Sequence, residues 1–180
     1  MKNEQEIRHS DLGALFLLLA HLWDYPRRDL ISKCQEILKN FLEEIPEGVL
    51  EFNGELEPEY VRLFINAPDG VPAAPYASVQ LTGLMAQEPA QQALEFYRRA
   101  GLVPQSSDPP DHLSTELAFV AHLLQQGELT LLKEFLEQHL LRWFPHFRRS
   151  LEKAGPHPFY QFLTDLTERA LSNLKEEVKT

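Results

Sequence analysis

Apolar residues recur along most of the chain at intervals of three and four, the spacing that lines one face of an α-helix. The first run places Leu12, Leu15, Phe16, Leu19, Leu22 and Trp23 together and predicts a helix over 6–23. Tyr25-Pro26 ends it, because the residue before a proline is pushed out of helical geometry. A second helix is predicted over 29–44, with Leu30, Ile31, Cys34, Ile37, Leu38, Phe41 and Leu42 inward, until Ile45-Pro46-Glu47-Gly48 breaks the pattern. A short helix over 57–65 tolerates Pro58 near its first turn and turns Tyr60, Leu63 and Phe64 to one side. The next stretch, 66–82, holds Pro68, Gly70, Pro72 and Pro75 and is expected to be a loop; so long a loop in a compact domain is usually functional.

Beyond it, a helix over 88–100 is stopped by Gly101 and followed by a polar, proline-containing connector over 105–110. Leu113, Leu117, Val120 and Leu124 predict a helix over 111–126, terminated by Gly127. The run 128–153 is expected to be helical with a kink at Pro145. Phe159, Phe162, Leu163, Leu166, Ala170 and Leu174 mark a last helix over 159–178. Apolar and polar positions never alternate for long, so no strand is predicted. The expected fold class is all-α: a single-domain helical bundle over 1–180 with no significant β-sheet.

Composition supports a folded core: of 180 residues, 43% are hydrophobic and 24% charged. Seventeen basic against 27 acidic side chains give a net charge of -10. That balance repels phosphate backbones and favours a basic peptide as partner, although many proteins are acidic simply for solubility. The one cysteine, Cys34, lies in an amphipathic stretch and reads as a small core residue. The apolar segment 12–20 has the length of an export signal's centre, but Glu4, Glu6 and Asp11 stand where such a signal is basic. It reads as a buried helix, no segment is long enough to span a membrane, and a cytoplasmic protein is expected.

Motifs for common chemistries are missing: no glycine-rich phosphate loop, no G-x-S-x-G, no H-E-x-x-H. His112 and Glu116 are one helical turn apart, so a metal-dependent hydrolase built on them is one reading; a hydrogen-bonded pair is the plainer one. Glu43-Glu44 and Glu176-Glu177 read as solvated helix ends.

Two segments look shaped for binding. In the first, the helix carrying Tyr60 feeds a proline-stiffened loop with Pro75, Tyr76 and Ser78, and prolines lower the entropic cost of presenting a fixed surface. In the second, Pro109 and Pro110 lead into a helix whose opening carries Asp111 and His112. Asp111 there either caps free N–H groups or accepts an arginine from a partner.

Taken in order, EYVRLF, PYASV, PDHLSTELAF, HLLRWFPHF and FYQFLTDLTERAL resemble the redox-enzyme maturation chaperones of the TorD, DmsD and NarJ type. The resemblance implies an all-helical, non-enzymatic cytoplasmic chaperone. Its partner would be the apo catalytic subunit of a molybdoenzyme, its twin-arginine leader, or both. Molybdenum cofactor would belong to that client, none being tightly bound by the chaperone, and the chain would be a monomer or a dimer. The family's peptide-binding surface falls on Pro110, Asp111 and His112 and on Pro75, Tyr76 and Ser78, with Tyr60 and Glu116 completing the candidate set. A permanent helical assembly subunit of a larger complex is the other reading.

Overall fold

The computed structural model describes residues 4–68, 70–103 and 109–178. Helices α1 (Glu4–Leu22) and α2 (Arg28–Leu38) open the chain, followed by α3 (Leu56–Tyr60), which runs on into a wide π-helical turn, Val61–Ile65. Next come α4 (Ala77–Thr82), α5 (Glu88–Arg99) and α6 (Leu113–Gln126). Helix α7 (Leu129–Phe135) passes through a second π turn (Leu136–Leu140) into α8 (Leu141–Lys153), and α9 (Pro158–Glu177) closes the order. Among the described residues there is no strand, only an isolated antiparallel bridge between Tyr76 and His112. The all-α class expected from the pattern is what the structure shows.

Helix α1 is central. It buries Phe16, Leu18, Leu19 and Leu22, with Trp23 buried just past its end, and lies along α6. Gly13 permits that approach, since a Cβ there would stand 3.3 Å from Gln125 and 3.5 Å from the Ala121 carbonyl. On the other side Trp23 stacks edge-on with Phe64 and Phe147 and donates its indole N–H to Thr167 of α9 at 2.9 Å. Buried apolar side chains from every helix join in one cluster, so the bundle closes by burial rather than by helix propensity alone. Cys34 sits in it, and burial pushes its thiol up to about 11, as suits a packing residue.

Three expectations need correction. Helix α2 ends at Leu38, where Asn40 and Phe41 turn back onto Ile37 and Leu38, and Ile37 faces solvent because the inward line is Ile31, Cys34 and Leu38. The stretch 66–82 is not all loop: its last six residues form α4. Helix α6 begins at Leu113, with His112 rather than Asp111 as its cap. Pro145 lies inside α8, and a further irregularity lies earlier in the same run, at the π turn Leu136–Leu140. The bond that Pro145 deletes falls just past a ladder already opened by that turn. Of the connector expected over 105–110, residues 105–108 lie outside the described residues.

Candidate functional site

The proline-rich loop and the entry to α6 are stitched together backbone to backbone. Ala77 N–H donates to the Asp111 carbonyl at 3.0 Å and Leu113 N–H to the Pro75 carbonyl at 2.9 Å. The Tyr76 and His112 rings meet edge to face, centroids 4.9 Å apart. Tyr76 is half-buried and His112 is buried, 8% exposed, so the pair is a small aromatic platform that reaches solvent chiefly through Tyr76. His112 Nδ1 accepts the Ser114 N–H at 3.2 Å and lies 2.7 Å from the Ser114 hydroxyl, capping α6.

Beneath the platform lies Asp111, fully buried. Its Oδ2 accepts the Ser78 N–H at 2.7 Å, so it serves an N–H in the first turn of α4, a helix remote in sequence. Pro110 is fixed by the Tyr97 hydroxyl, which donates to its carbonyl at 2.6 Å. Burial, and then the charges of Glu116 and Asp111, push that phenol well above its ordinary range. Asp111 Oδ1 and the Ser78 hydroxyl oxygen are buried without a hydrogen-bond partner among the described residues. Such atoms cost a fold about 1–3 kcal/mol each and ask for a reason beyond packing.

A third layer lies deeper. Glu116, fully buried, accepts from His139 Nε2 at 2.7 Å and from the Trp143 indole N–H at 2.9 Å. His139 Nδ1 lies 2.9 Å from Gln92 Oε1, so one network joins α5, α6, the second π turn and α8. Burial pushes Glu116 up, opposed by His139 and Trp143. Burial works to lower His139, but the charge and hydrogen bond of Glu116 prevail and hold the imidazole above its ordinary value. The pair therefore holds on to a proton in the folded chain, with one hydrogen bond on each oxygen of the Glu116 carboxyl group.

This geometry sorts the residues singled out from sequence. Pro75, Tyr76, Ser78, Pro110, Asp111 and His112 are brought together, with Glu116 one turn deeper. Tyr60 lies instead in the aromatic core, against Tyr25, Phe64 and Tyr160. Asp111 presents no open face to an arginine, because its carboxylate is enclosed and braces α4. Nor do His112 and Glu116 form a metal pair: Glu116 turns inward to His139, and no group of three or more His, Cys, Asp or Glu among the described residues is placed to hold an ion. Sequence reasoning passed over His139, Trp143, Gln92 and Tyr97. His139 carried a signal: it falls on the apolar stripe of Phe135, Leu136, Leu140 and Trp143, where an uncompensated imidazole is costly.

Residues 27–149 match the family model described as "Nitrate reductase delta subunit". The chain belongs to that family. Among its curated relatives is "Chaperone protein TorD" of Actinobacillus succinogenes, 33% identical over 66% of this chain and 63% of that protein. The TorD chaperone of Shewanella piezotolerans is 32% identical over 63% of this chain and 57% of its own length. One from Vibrio cholerae is 36% identical over 52% and 48% respectively. The family member described here thus spans less than two thirds of the length of these relatives. A crystal structure of a putative redox enzyme maturation protein from Archaeoglobus fulgidus shares the fold, with a TM-score of 0.66, 23% identity and coverage of 100% of this chain and 96% of that one. The resemblance to redox-enzyme maturation chaperones noted in the sequence is upheld by these relatives.

Proposed function

We propose that this chain is a non-enzymatic chaperone dedicated to a molybdenum-cofactor oxidoreductase. It binds the apo catalytic subunit, its twin-arginine leader, or both, in the cytoplasm, and holds the client until cofactor insertion is complete. The observation that carries this reading is kinship with chaperones named TorD, joined to the bridge that unites PYAS and PDH into one surface. The platform of Tyr76 and His112 is the contact surface; Asp111, Ser78, Pro75 and Pro110 fix its shape from below, and Glu116 anchors α6 beneath them. An aromatic platform on a rigid backing loses little entropy on binding. No helix among the described residues is long and apolar enough to cross a membrane, in keeping with a chaperone that meets clients in solution.

The test is affinity capture from native extract, with bound proteins identified by mass spectrometry. A molybdopterin oxidoreductase subunit should be recovered in its cofactor-free form and released once loaded. Tyr76→Ala should lower recovery without changing the helical circular dichroism. Recovery of no such subunit overturns the proposal, and stoichiometric retention on the finished holoenzyme replaces it with a permanent assembly subunit.

A further inference from the structure

Just ahead of α3 the chain reads Phe52-Asn53-Gly54-Glu55. Asn53, Gly54 and Glu55 are all exposed. The Asn53 side chain is folded back along its own backbone: Oδ1 accepts the Glu55 N–H at 3.1 Å, and Nδ2 donates to Glu55 Oε2 at 3.5 Å. This is the turn that asparagine makes with the residue two positions on, and it carries the side-chain carbonyl carbon over the Gly54 nitrogen. The Gly54 N–H makes no hydrogen bond among the described residues, and glycine has no Cβ to crowd it. Nor is glycine there for its backbone freedom. Gly54 does not adopt a positive φ, and a Cβ built on it would meet nothing within 4 Å.

We propose that Asn53 is a self-modification site, where the Gly54 nitrogen closes onto the Asn53 side chain and converts it to aspartate and isoaspartate. Gly54 N gives its proton to solvent and attacks Cγ, forming the N–Cγ bond. The Cγ–Nδ2 bond breaks, and Nδ2 takes up a proton and leaves as ammonia. The cyclic imide then consumes one water. Opening at Cγ leaves aspartate in an ordinary main chain; opening at the main-chain carbonyl leaves isoaspartate, whose main chain runs through Cβ and Cγ. Nothing is oxidised or reduced. The Glu55 N–H, already on Oδ1, stands where negative charge develops as Gly54 attacks. The other asparagines lack such a neighbour: Asn3, Asn40, Asn66 and Asn173 precede Glu4, Phe41, Ala67 and Leu174, whose Cβ atoms crowd the attacking nitrogen. Isoaspartate lengthens the main chain just before Glu55, the N-cap residue of α3. Leu56 behind it is fully buried, with its carbonyl accepting the Tyr160 hydroxyl at 3.4 Å, and Glu59 in the same short helix takes the His157 N–H. Lengthening pushes against that register, so conversion loosens the contact of α3 with α9. The exposed isoaspartyl carboxylate is then a substrate for methyl transfer by an isoaspartyl methyltransferase.

The experiment ages the full chain in warm neutral buffer and follows each asparagine by peptide mapping. Mass spectrometry reads the exchange of amide for acid, and methyl transfer from S-adenosylmethionine by an isoaspartyl methyltransferase separates isoaspartate from aspartate. Asn53 should convert well ahead of Asn40, Asn66 and Asn173 and should yield isoaspartate beside aspartate. Gly54→Ala should lose nearly all of that conversion while the fresh variant keeps the wild-type circular dichroism and urea midpoint, because nothing occupies the space its methyl would fill. Aged wild type should unfold in less urea than fresh, and aged Gly54→Ala should not. Asn53 lasting as long as Asn66 overturns the site. Aspartate without isoaspartate, or conversion undiminished in Gly54→Ala, overturns the ring closure. An unchanged midpoint after full conversion overturns the effect on α3. Client capture enters none of these readings, so the site and the chaperone reading stand or fall separately.

Discussion

Asp111 accepts the backbone N–H of Ser78 at 2.7 Å, across 33 positions of chain, and so one buried carboxylate fixes where α4 begins. Removing it strands an N–H that has no water to turn to. Asp111→Ala should cost about 2 kcal/mol in urea denaturation, within the usual range for an orphaned buried donor, and Asp111→Asn should cost less because its amide oxygen still accepts. Equal stability of Asp111→Ala and wild type would refute the bracing role.

The buried pair of Glu116 and His139 predicts a larger effect. His139→Leu leaves a carboxylate enclosed with only Trp143 as donor and should cost about 3–5 kcal/mol. Replacing both by leucine should recover most of that loss. A double-mutant cycle by chemical denaturation measures it, and additive losses would show that the two groups do not act as a pair.

The same pair sets a pH dependence. Its imidazole binds a proton more tightly in the folded chain than in the unfolded one, where it titrates near 6.5. That contribution is complete below 6.5 and is lost as pH rises through the higher folded value. Glu116, also held above its ordinary 4.5, acts in the same direction from a lower pH. Denaturation midpoints should fall from pH 6.5 upward, read well below 9.0, where Cys34 of the unfolded chain is already half ionised. His139→Gln should flatten that slope; a slope unchanged by the substitution would assign the loss elsewhere.

Arg62 clamps the start of the loop. It grips Glu59 at 2.7 and 2.8 Å and donates to the carbonyls of Ala154 and Gly155 at the turn into α9. Glu59 also takes the His157 N–H at 2.9 Å, and its hydrogen bond to Arg62 holds it below its ordinary range despite burial. Arg62→Ala should cost about 1 kcal/mol at neutral pH, a modest figure because the guanidinium is partly exposed. A depressed carboxyl stabilises above its unfolded value of 4.5 and loses that contribution below it, so the gap between variant and wild type should close in acid. A gap that persists at low pH would mean that packing of the arginine stem, not the ion pair, is responsible.

Much of the bundle is legible in its apolar spacing. Leu113, Leu117, Val120 and Leu124 are all buried in α6, and α9 runs within a residue or two of its expected bounds. Helix α4 was not legible, because six residues carry too little periodicity and their start is fixed by a side chain 33 positions away. Membership of the Tyr76 and His112 cluster was readable as two motifs, but depth was not. Whether an acid at a helix mouth faces solvent or a second helix depends on what packs above it. The Glu116–His139 bond is equally non-local, spanning 23 positions across a π turn whose extra residue no pattern announces.

That extra residue has a consequence for the history of the chain. Each residue of a helix advances the face by about 100°. Deleting any one of 136–140 would restore ordinary pitch and swing everything upstream of the cut away from α6, with His139 leaving its partner unless it lay on the downstream side. A single-codon loss here would thus turn Leu132 and Phe135 out of the core whichever residue went, and since Leu136, His139 and Leu140 are themselves buried, the wide turn is held in sequence as well as in length.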